Sequence, residues 1–286
     1  MSEIRCELPG LSVAGRAWGP DEGRRVLALH GWLDNAGSFD RLAPELEGCR
    51  VVAVDLPGHG RSGHLPEGWS FHFSGWLTVV DAILGELGWD RCVLMGHSMG
   101  AGIASLYASA MPERVDALVL LEGLAPLSSP ASDAPARARR ALTQGRHAGR
   151  KRARVYPTRE EAVARHAAAV PSLDARSRDA ILSRGIAQVD GGWAYTHDLR
   201  LRTTSIARFT EPQVLSFLSA IACPTLIVRA RDGMAFPEAM VAARVDAIPD
   251  ARVVEIDGGH HNHLTHAEEV GAAAWSFLSA LPPREA

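Results

Sequence analysis

The sequence predicts an α/β fold: a mostly parallel sheet with helices on both faces. Three observations lead there. Short runs rich in Val, Ile and Leu recur along the chain, longer amphipathic stretches separate them, and most of the runs do not alternate apolar with polar residues. A strand buried on both faces of a parallel sheet has no polar side to show, so it reads as a continuous apolar run. Strands alternating with helices build such a sheet.

The predicted elements follow in order. Leu11–Trp18 reads as an antiparallel edge strand, and strands are predicted at Arg25–Leu29, Arg50–Asp55, Cys92–Gly96, Ala117–Leu121, Pro224–Arg229 and Arg252–Ile256. Helices are predicted at Phe39–Leu46 after Ser38, and at Gly75–Leu87 after Ser74, whose hydroxyl suits an N-cap. Ala101–Met111, stopped before Pro112, is a further helix, as are Glu211–Ile221, Glu238–Ile248 and Glu268–Leu281. The alternation breaks after Leu121. Residues 126–205 hold no strand-like run and read as helices. Thr158–Glu161 is a capping box, and Asp174–Ser183 is a helix ended by Gly185. A structureless loop of roughly 80 residues would be implausible. The expectation is therefore a core of residues 1–125 and 206–286 carrying a helical cap, residues 126–205.

Composition narrows the class. Hydrophobic residues are 47% and charged residues 22% of the 286, ordinary for a globular chain. The net charge of −3 argues against a dedicated nucleic-acid binder. No run approaches the roughly 18 apolar residues of a membrane span, and the opening MSEIRCELPG has no signal-peptide core. Cys6, Cys49, Cys92 and Cys223 are scattered without a CxxC, so free thiols in a reducing cytoplasm are expected. Arg137–Arg154 carries eight Lys/Arg and no acid. It reads either as a solvated helix face, the simpler account, or as a site for a phosphate or other anion.

The chemistry concentrates in a few turns. Gly96-His97-Ser98-Met99-Gly100 is G-x-S-x-G between a predicted strand and a predicted helix, the context that motif requires. Small flanking residues let the backbones clear each other while the tight turn thrusts the Ser98 hydroxyl outward. The helix N-terminus then lies beneath the reacting carbon. A serine needs a base, and the base needs an acid to orient it. After the last strand comes Asp257-Gly-Gly-His-His-Asn-His263. His260, directly after the paired glycines, is the expected base in preference to His261. His261-x-His263-x-x-His266 has a metal-ligand spacing, but it lacks the acid before the last histidine and comes late in the chain; His263 and His266 are read as lining the loop and the helix start. His30-Gly31-Trp32 ends an earlier strand. The backbone N–H groups of Trp32 and Met99 are candidates for an oxyanion hole, with His30 structural. Asp55, His59 and Arg61 in DLPGHGRS (55–62) are read as packing and bonding their loop.

These motifs, HGW (30–32), DLPGHGRS (55–62), GHSMG (96–100) and GGHHNH (258–263), together resemble the α/β-hydrolase superfamily. HGWLDNAGSFDRLAP (30–44), RRAL (139–142) and SRGI (183–186) resemble the serine hydrolase-like proteins within it. The resemblance implies about eight strands with a helical cap inserted after the sixth. It also bears on the acid. In the common superfamily pattern the acid would fall at Gly233, one position past Asp232. The closer group resembles this chain in having glycine there and an acid at the position of Glu122. Glu122 is the favoured acid and Asp232 the alternative. Such a set performs acyl transfer without a cofactor or metal. The expected function is hydrolysis of a carboxylic ester or related acyl substrate through an acyl-enzyme on Ser98. C–C bond hydrolase, acyltransferase, perhydrolase and a catalytically silent ligand-binding protein are the alternatives on the same fold. Trp32, Met99, Leu124, Trp193, Met234 and Phe236 are the expected apolar pocket lining. The expected partner is a small acyl substrate, with neither nucleic acid nor membrane; oligomeric state is open.

Overall fold

The computed structural model describes residues 1–148 and 152–282. The first six strands are β1 (Ser2–Leu8), β2 (Leu11–Trp18), β3 (Arg24–Leu29), β4 (Cys49–Val54), β5 (Cys92–His97) and β6 (Val115–Leu121). A separate hairpin, β7 (Ile186–Val189) and β8 (Gly192–Tyr195), precedes β9 (Thr225–Asp232) and β10 (Ala251–Gly259). The main sheet has eight strands in the order β1-β2-β4-β3-β5-β6-β9-β10. β2 alone runs against the rest, pairing antiparallel with β1 and with β4, and every other neighbouring pair is parallel.

Both faces of the sheet's centre, β3 to β6, are buried, whereas the edge strands β1 and β10 are largely exposed. Leu27 and Leu29 of β3 belong to one apolar cluster, with Trp76, Val80 and Ile83 of α1 (Gly75–Glu86) and Ile103 and Tyr107 of α2 (Met99–Ala110). Val26 and Ala28, the alternate residues, belong to the other, with Phe39, Leu42, Val270 and Phe277. Successive residues thus bury on opposite faces, and that is why the runs are uniformly apolar. Each fully buried Val, Leu, Ile or Phe stabilises the fold by about 1.5–3 kcal/mol relative to exposure.

Between β6 and β9 the chain leaves the sheet for α3 (Ala134–Ala148), α4 (Arg159–Ala169), α5 (Ala175–Gly185) and the β7–β8 hairpin. It returns through α6 (Glu211–Ser219), and α7 (Glu238–Asp246), α8 (Asn262–Thr265) and α9 (Ala267–Ser279) complete the helices. Thr158 caps α4 by accepting from the Glu161 N–H at 3.2 Å, and Asp174 caps α5 through the Ser177 N–H at 2.7 Å. Among the described residues no helix is long and apolar enough to cross a membrane.

Three expectations need correction. The helix at Phe39–Leu46 is instead two short 3-10 turns, Ala36–Phe39 and Ala43–Glu45. Pro44 has no N–H to continue an α-helix from the first turn, and the Asp55 carboxylate fixes the first turn by accepting from the Ala36 N–H at 2.7 Å. Residues 126–205 do contain strands: β7 and β8 join through Asp190-Gly191, with Gly191 at φ 84°. Asp-Gly between two short strands is a strong hairpin signal. The strand β1 also lies outside the sequence reading. It pairs with β2 across Pro9-Gly10, with Gly10 at φ 72°, the proline and left-handed glycine of a type II turn.

Candidate active site

The site lies at the carboxyl ends of β5, β6 and β10. β5 enters the sheet's centre and α2 leaves it at once, so Ser98 turns the chain with φ 51° and ψ −110°. Such a conformation costs a side-chain-bearing residue of the order of 1–3 kcal/mol and persists only where packing enforces it. Packing does so here. A Cβ at Gly96 would collide with the backbone of Gly100, and one at Gly100 with the Leu29 carbonyl oxygen. The glycines let β3, β5 and α2 meet at backbone distance, and the turn holds the hydroxyl clear of the sheet.

His260 follows β10 and reaches across to Ser98. Its Nε2 lies 2.9 Å from Ser98 Oγ and its Nδ1 3.3 Å from Glu122 Oε2. A carboxylate only accepts, so Nδ1 carries the proton and Nε2 accepts from the serine. Glu122 lies immediately beyond β6 at φ 47°. Its side chain is 7% exposed and accepts from the backbone N–H of Ala230 at 2.5 Å and of Met234 at 3.2 Å. Burial pushes this carboxyl up, but His260 and the two backbone donors outweigh it and hold the pKa below the ordinary glutamate value. Asp232 ends β9 exposed, and no hydrogen bond joins its carboxylate to His260 among the described residues. Gly233 explains the arrangement: a Cβ there would collide with Glu122 Oε2. The glutamate fills the space beside the position where the common pattern carries its acid.

The other histidines take separate places. His30 is buried; its Nε2 accepts from the Leu56 N–H at 2.9 Å and its Nδ1 donates to the Gly31 carbonyl at 2.7 Å. The spacing His261, His263, His266 does not converge. His263 bonds Ser38 through Nε2 at 2.8 Å, and His266 meets Thr265 Oγ1 through Nδ1 at 3.0 Å. His261 pairs with Asp34 at 3.3 Å. Among the described residues, the grouping whose ligand atoms come within 4.8 Å of one another is Asp34, His97 and His261. Burial pushes both partners of the Asp34–His261 pair toward neutrality. Their mutual attraction wins, so Asp34 stays well below the ordinary range and His261 above it.

Sequence reasoning passed over two residues. His97 is buried, and burial, partly opposed by Asp34, lowers its pKa to about 4. Its neutral ring donates Nε2–H to the His260 carbonyl at 2.8 Å, anchoring that loop. The signal is its place beside Ser98 in the G-x-S-x-G turn. Arg184 has a fully buried side chain and binds Asp55 through Nη2 at 2.8 Å and Glu3 through Nη1 at 2.6 Å. Asp55 also accepts from the Arg61 N–H at 2.8 Å, so this loop is structural as expected. His59 is buried against it, with Nδ1 3.2 Å from the carbonyls of Leu56 and Pro57.

A cavity of about 1630 Å³ opens over Ser98 and His260. Trp32, Met99, Leu124, Met234 and Phe236 line it. Trp32 is anchored by its indole N–H, which donates to the Leu201 carbonyl at 2.9 Å. Met99 opens α2, where a backbone N–H has no acceptor within the helix. Trp193 is a correction. It packs against Tyr156, Ala162, Leu182 and Ile186, the small core beneath the β7–β8 hairpin, and does not line the cavity. The cavity wall includes Arg137, Arg140, Arg152 and Arg154 of the basic stretch; Arg150 and Lys151 lie outside the described residues.

The comparisons with known proteins agree with this architecture. A family model described as alpha/beta hydrolase fold matches residues 24–267. A serine hydrolase-like protein of Danio rerio is 34% identical, covering 99% of this chain and 90% of that protein. The crystal structure of a hypothetical protein from Pseudomonas aeruginosa PAO1 superposes with a TM-score of 0.92 at 37% identity, over 98% of this chain and all of that one. A thioesterase domain from the curacin biosynthetic pathway superposes with a TM-score of 0.87 at 27% identity, over 96% of this chain and 99% of that one.

Proposed function

The chain belongs to the α/β-hydrolase fold family and resembles its serine hydrolase-like members, and from that premise we propose that it hydrolyses a carboxylic ester or related acyl substrate, with Ser98, His260 and Glu122 as its catalytic triad. The observation that carries this reading is the single imidazole bridging a serine hydroxyl and a buried carboxylate.

In the first half-reaction Ser98 Oγ attacks the acyl carbonyl and its proton passes to His260 Nε2. Glu122 accepts the Nδ1–H throughout and stabilises the imidazolium; it does not take the proton. The carbonyl oxygen becomes an oxyanion and is met by the backbone N–H groups of Trp32 and Met99. Donors fixed in advance stabilise charge that exists only in the transition state. The tetrahedral intermediate collapses, the bond to the leaving group breaks, and His260 returns the proton to that group. Water then repeats the sequence on the acyl-enzyme, giving up a proton to His260 and releasing the carboxylic acid with Ser98 restored. None of these steps needs an electron acceptor or a metal. Residues 126–205 act as the cap that closes over the acyl group.

A hydrolysis screen over p-nitrophenyl esters of rising chain length and matched thioesters tests the reading. At least one series is turned over, and Ser98→Ala lowers its kcat by roughly 10³-fold or more. Absence of turnover across every series would count against the hydrolase.

A further inference from the structure

The charge on the cavity wall is far from balanced. Ten arginines line the cavity, with Asp34 and Glu122 its only carboxylates among the described residues. Both acids are already engaged by His261 and His260. Three of the arginines have acidic partners: Arg200 with Asp198, Arg244 with Glu211 and Arg229 with Glu255. Arg154 lies 4.9 Å over the Tyr156 ring. The remaining six, Arg137, Arg140, Arg152, Arg165, Arg202 and Arg208, have no carboxylate partner among the described residues. They come from separate segments: α3, the chain after it, α4, the 3-10 turn Leu199–Arg202 and the loop before α6. Folding brings them together. The Arg137 Nε is buried without a hydrogen-bond partner. Burial, and then the charge of Arg137, push the neighbouring Arg208 below the ordinary arginine value.

A chain of net charge −3 has many acids available. Like charges gathered around a concave site repel one another and focus a positive potential into the cavity. A bound polyanion relieves that repulsion, and planar guanidinium forks match phosphate oxygens. The wall is divided. Leu124 follows Glu122 by two residues and the Met234 N–H donates to its carboxylate, whereas all six unpaired arginines come from residues 134–208. The acyl group therefore belongs on the core side and the anion on the side of α3 and α4.

We propose that this cavity binds acyl thioesters of phosphorylated pantetheine, its phosphates held by the unpaired arginines and its acyl chain laid beside Ser98. The proposal takes the thioester carbonyl at Ser98 from the acyl-transfer reading, but the binding of the leaving group stands apart from turnover. It is tested by calorimetry on the Ser98→Ala protein with CoA, 4′-phosphopantetheine and pantetheine. The phosphorylated ligands should bind at least roughly tenfold more tightly than pantetheine, as charge-assisted hydrogen bonds imply. CoA well ahead of phosphopantetheine would identify the free cofactor as the source; equal binding of the two would identify a carrier-bound arm. Arg137→Gln combined with Arg208→Gln, and separately Arg140→Gln combined with Arg165→Gln, should pull the CoA-to-pantetheine affinity ratio toward one. CoA no tighter than pantetheine, or a ratio untouched in a folded double variant, overturns the proposal. Hydrolysis of a neutral ester by the wild-type enzyme in that event would leave the triad reading standing.

Discussion

In the proposed triad Glu122 is the acid, and its surroundings say why a glutamate at the end of β6 can serve. Its carboxylate meets His260 Nδ1 and two backbone N–H groups at once, and glycine at 233 leaves the room it occupies. Glu122→Gln is expected to lower kcat by roughly 10²–10⁴-fold with KM changed much less, since tautomer control and imidazolium stabilisation both go. Asp232→Asn, on the exposed end of β9, should cost under about tenfold by the same kinetic reading. The reverse ranking in steady-state kinetics would transfer the role to Asp232. Ser98 and His260 were legible because their neighbours are small for steric reasons that leave a motif. His97 was not. Its use depends on a backbone carbonyl 163 residues away, and no spacing encodes that.

Elements were legible wherever burial on two faces or helical periodicity shaped the sequence, so β3 to β6, β9 and the helices of the core could be read. The failures are local. Pro44 and the Asp55 contact replaced a helix with 3-10 turns, and the eight residues of β7 and β8 were too short to show a run. The tie between α5 and the core was also hidden. Arg184 of α5 reaches Asp55 after β4 and Glu3 of β1, joining segments distant in sequence. Removing one partner of a buried pair leaves the other charge uncompensated. Arg184→Ala should therefore destabilise the protein by about 3–5 kcal/mol, read as a lower urea midpoint at similar slope. A loss under about 1 kcal/mol, the range of exposed pairs, would show that water reaches Asp55. For residues 126–205 the cap reading carries its own test. Limited proteolysis should cut this segment before the sheet, and a bound active-site inhibitor should slow the cutting. Cleavage indifferent to the inhibitor would separate the segment from the site.

Six histidines, His30, His59, His97, His166, His197 and His263, have pKa values lowered chiefly by burial. Each takes up a proton more readily in the unfolded chain. Below the unfolded value of about 6.5 the unfolded state binds more protons, so stability falls as the pH drops. His261, raised by Asp34, has the opposite sign: its contribution is full below about 6.5 and is lost as the pH rises through its folded value. Six against one, the molecule as a whole should lose thermal stability between about pH 6.5 and 5, before most carboxylates titrate. A flat melting temperature across that interval would show that these imidazoles are hydrated in the folded state. The same whole-molecule assembly delivers the site, since Ser98, Glu122 and His260 come from three strand ends and meet only when the sheet is complete. The most direct test of the central claim is the intact mass of the native protein after reaction with a fluorophosphonate, with peptide mapping of the adduct. One adduct per chain, located on Ser98 and absent from a folded Ser98→Ala protein, is the result this site predicts. An unmodified native protein, or an adduct that persists in Ser98→Ala, would contradict it.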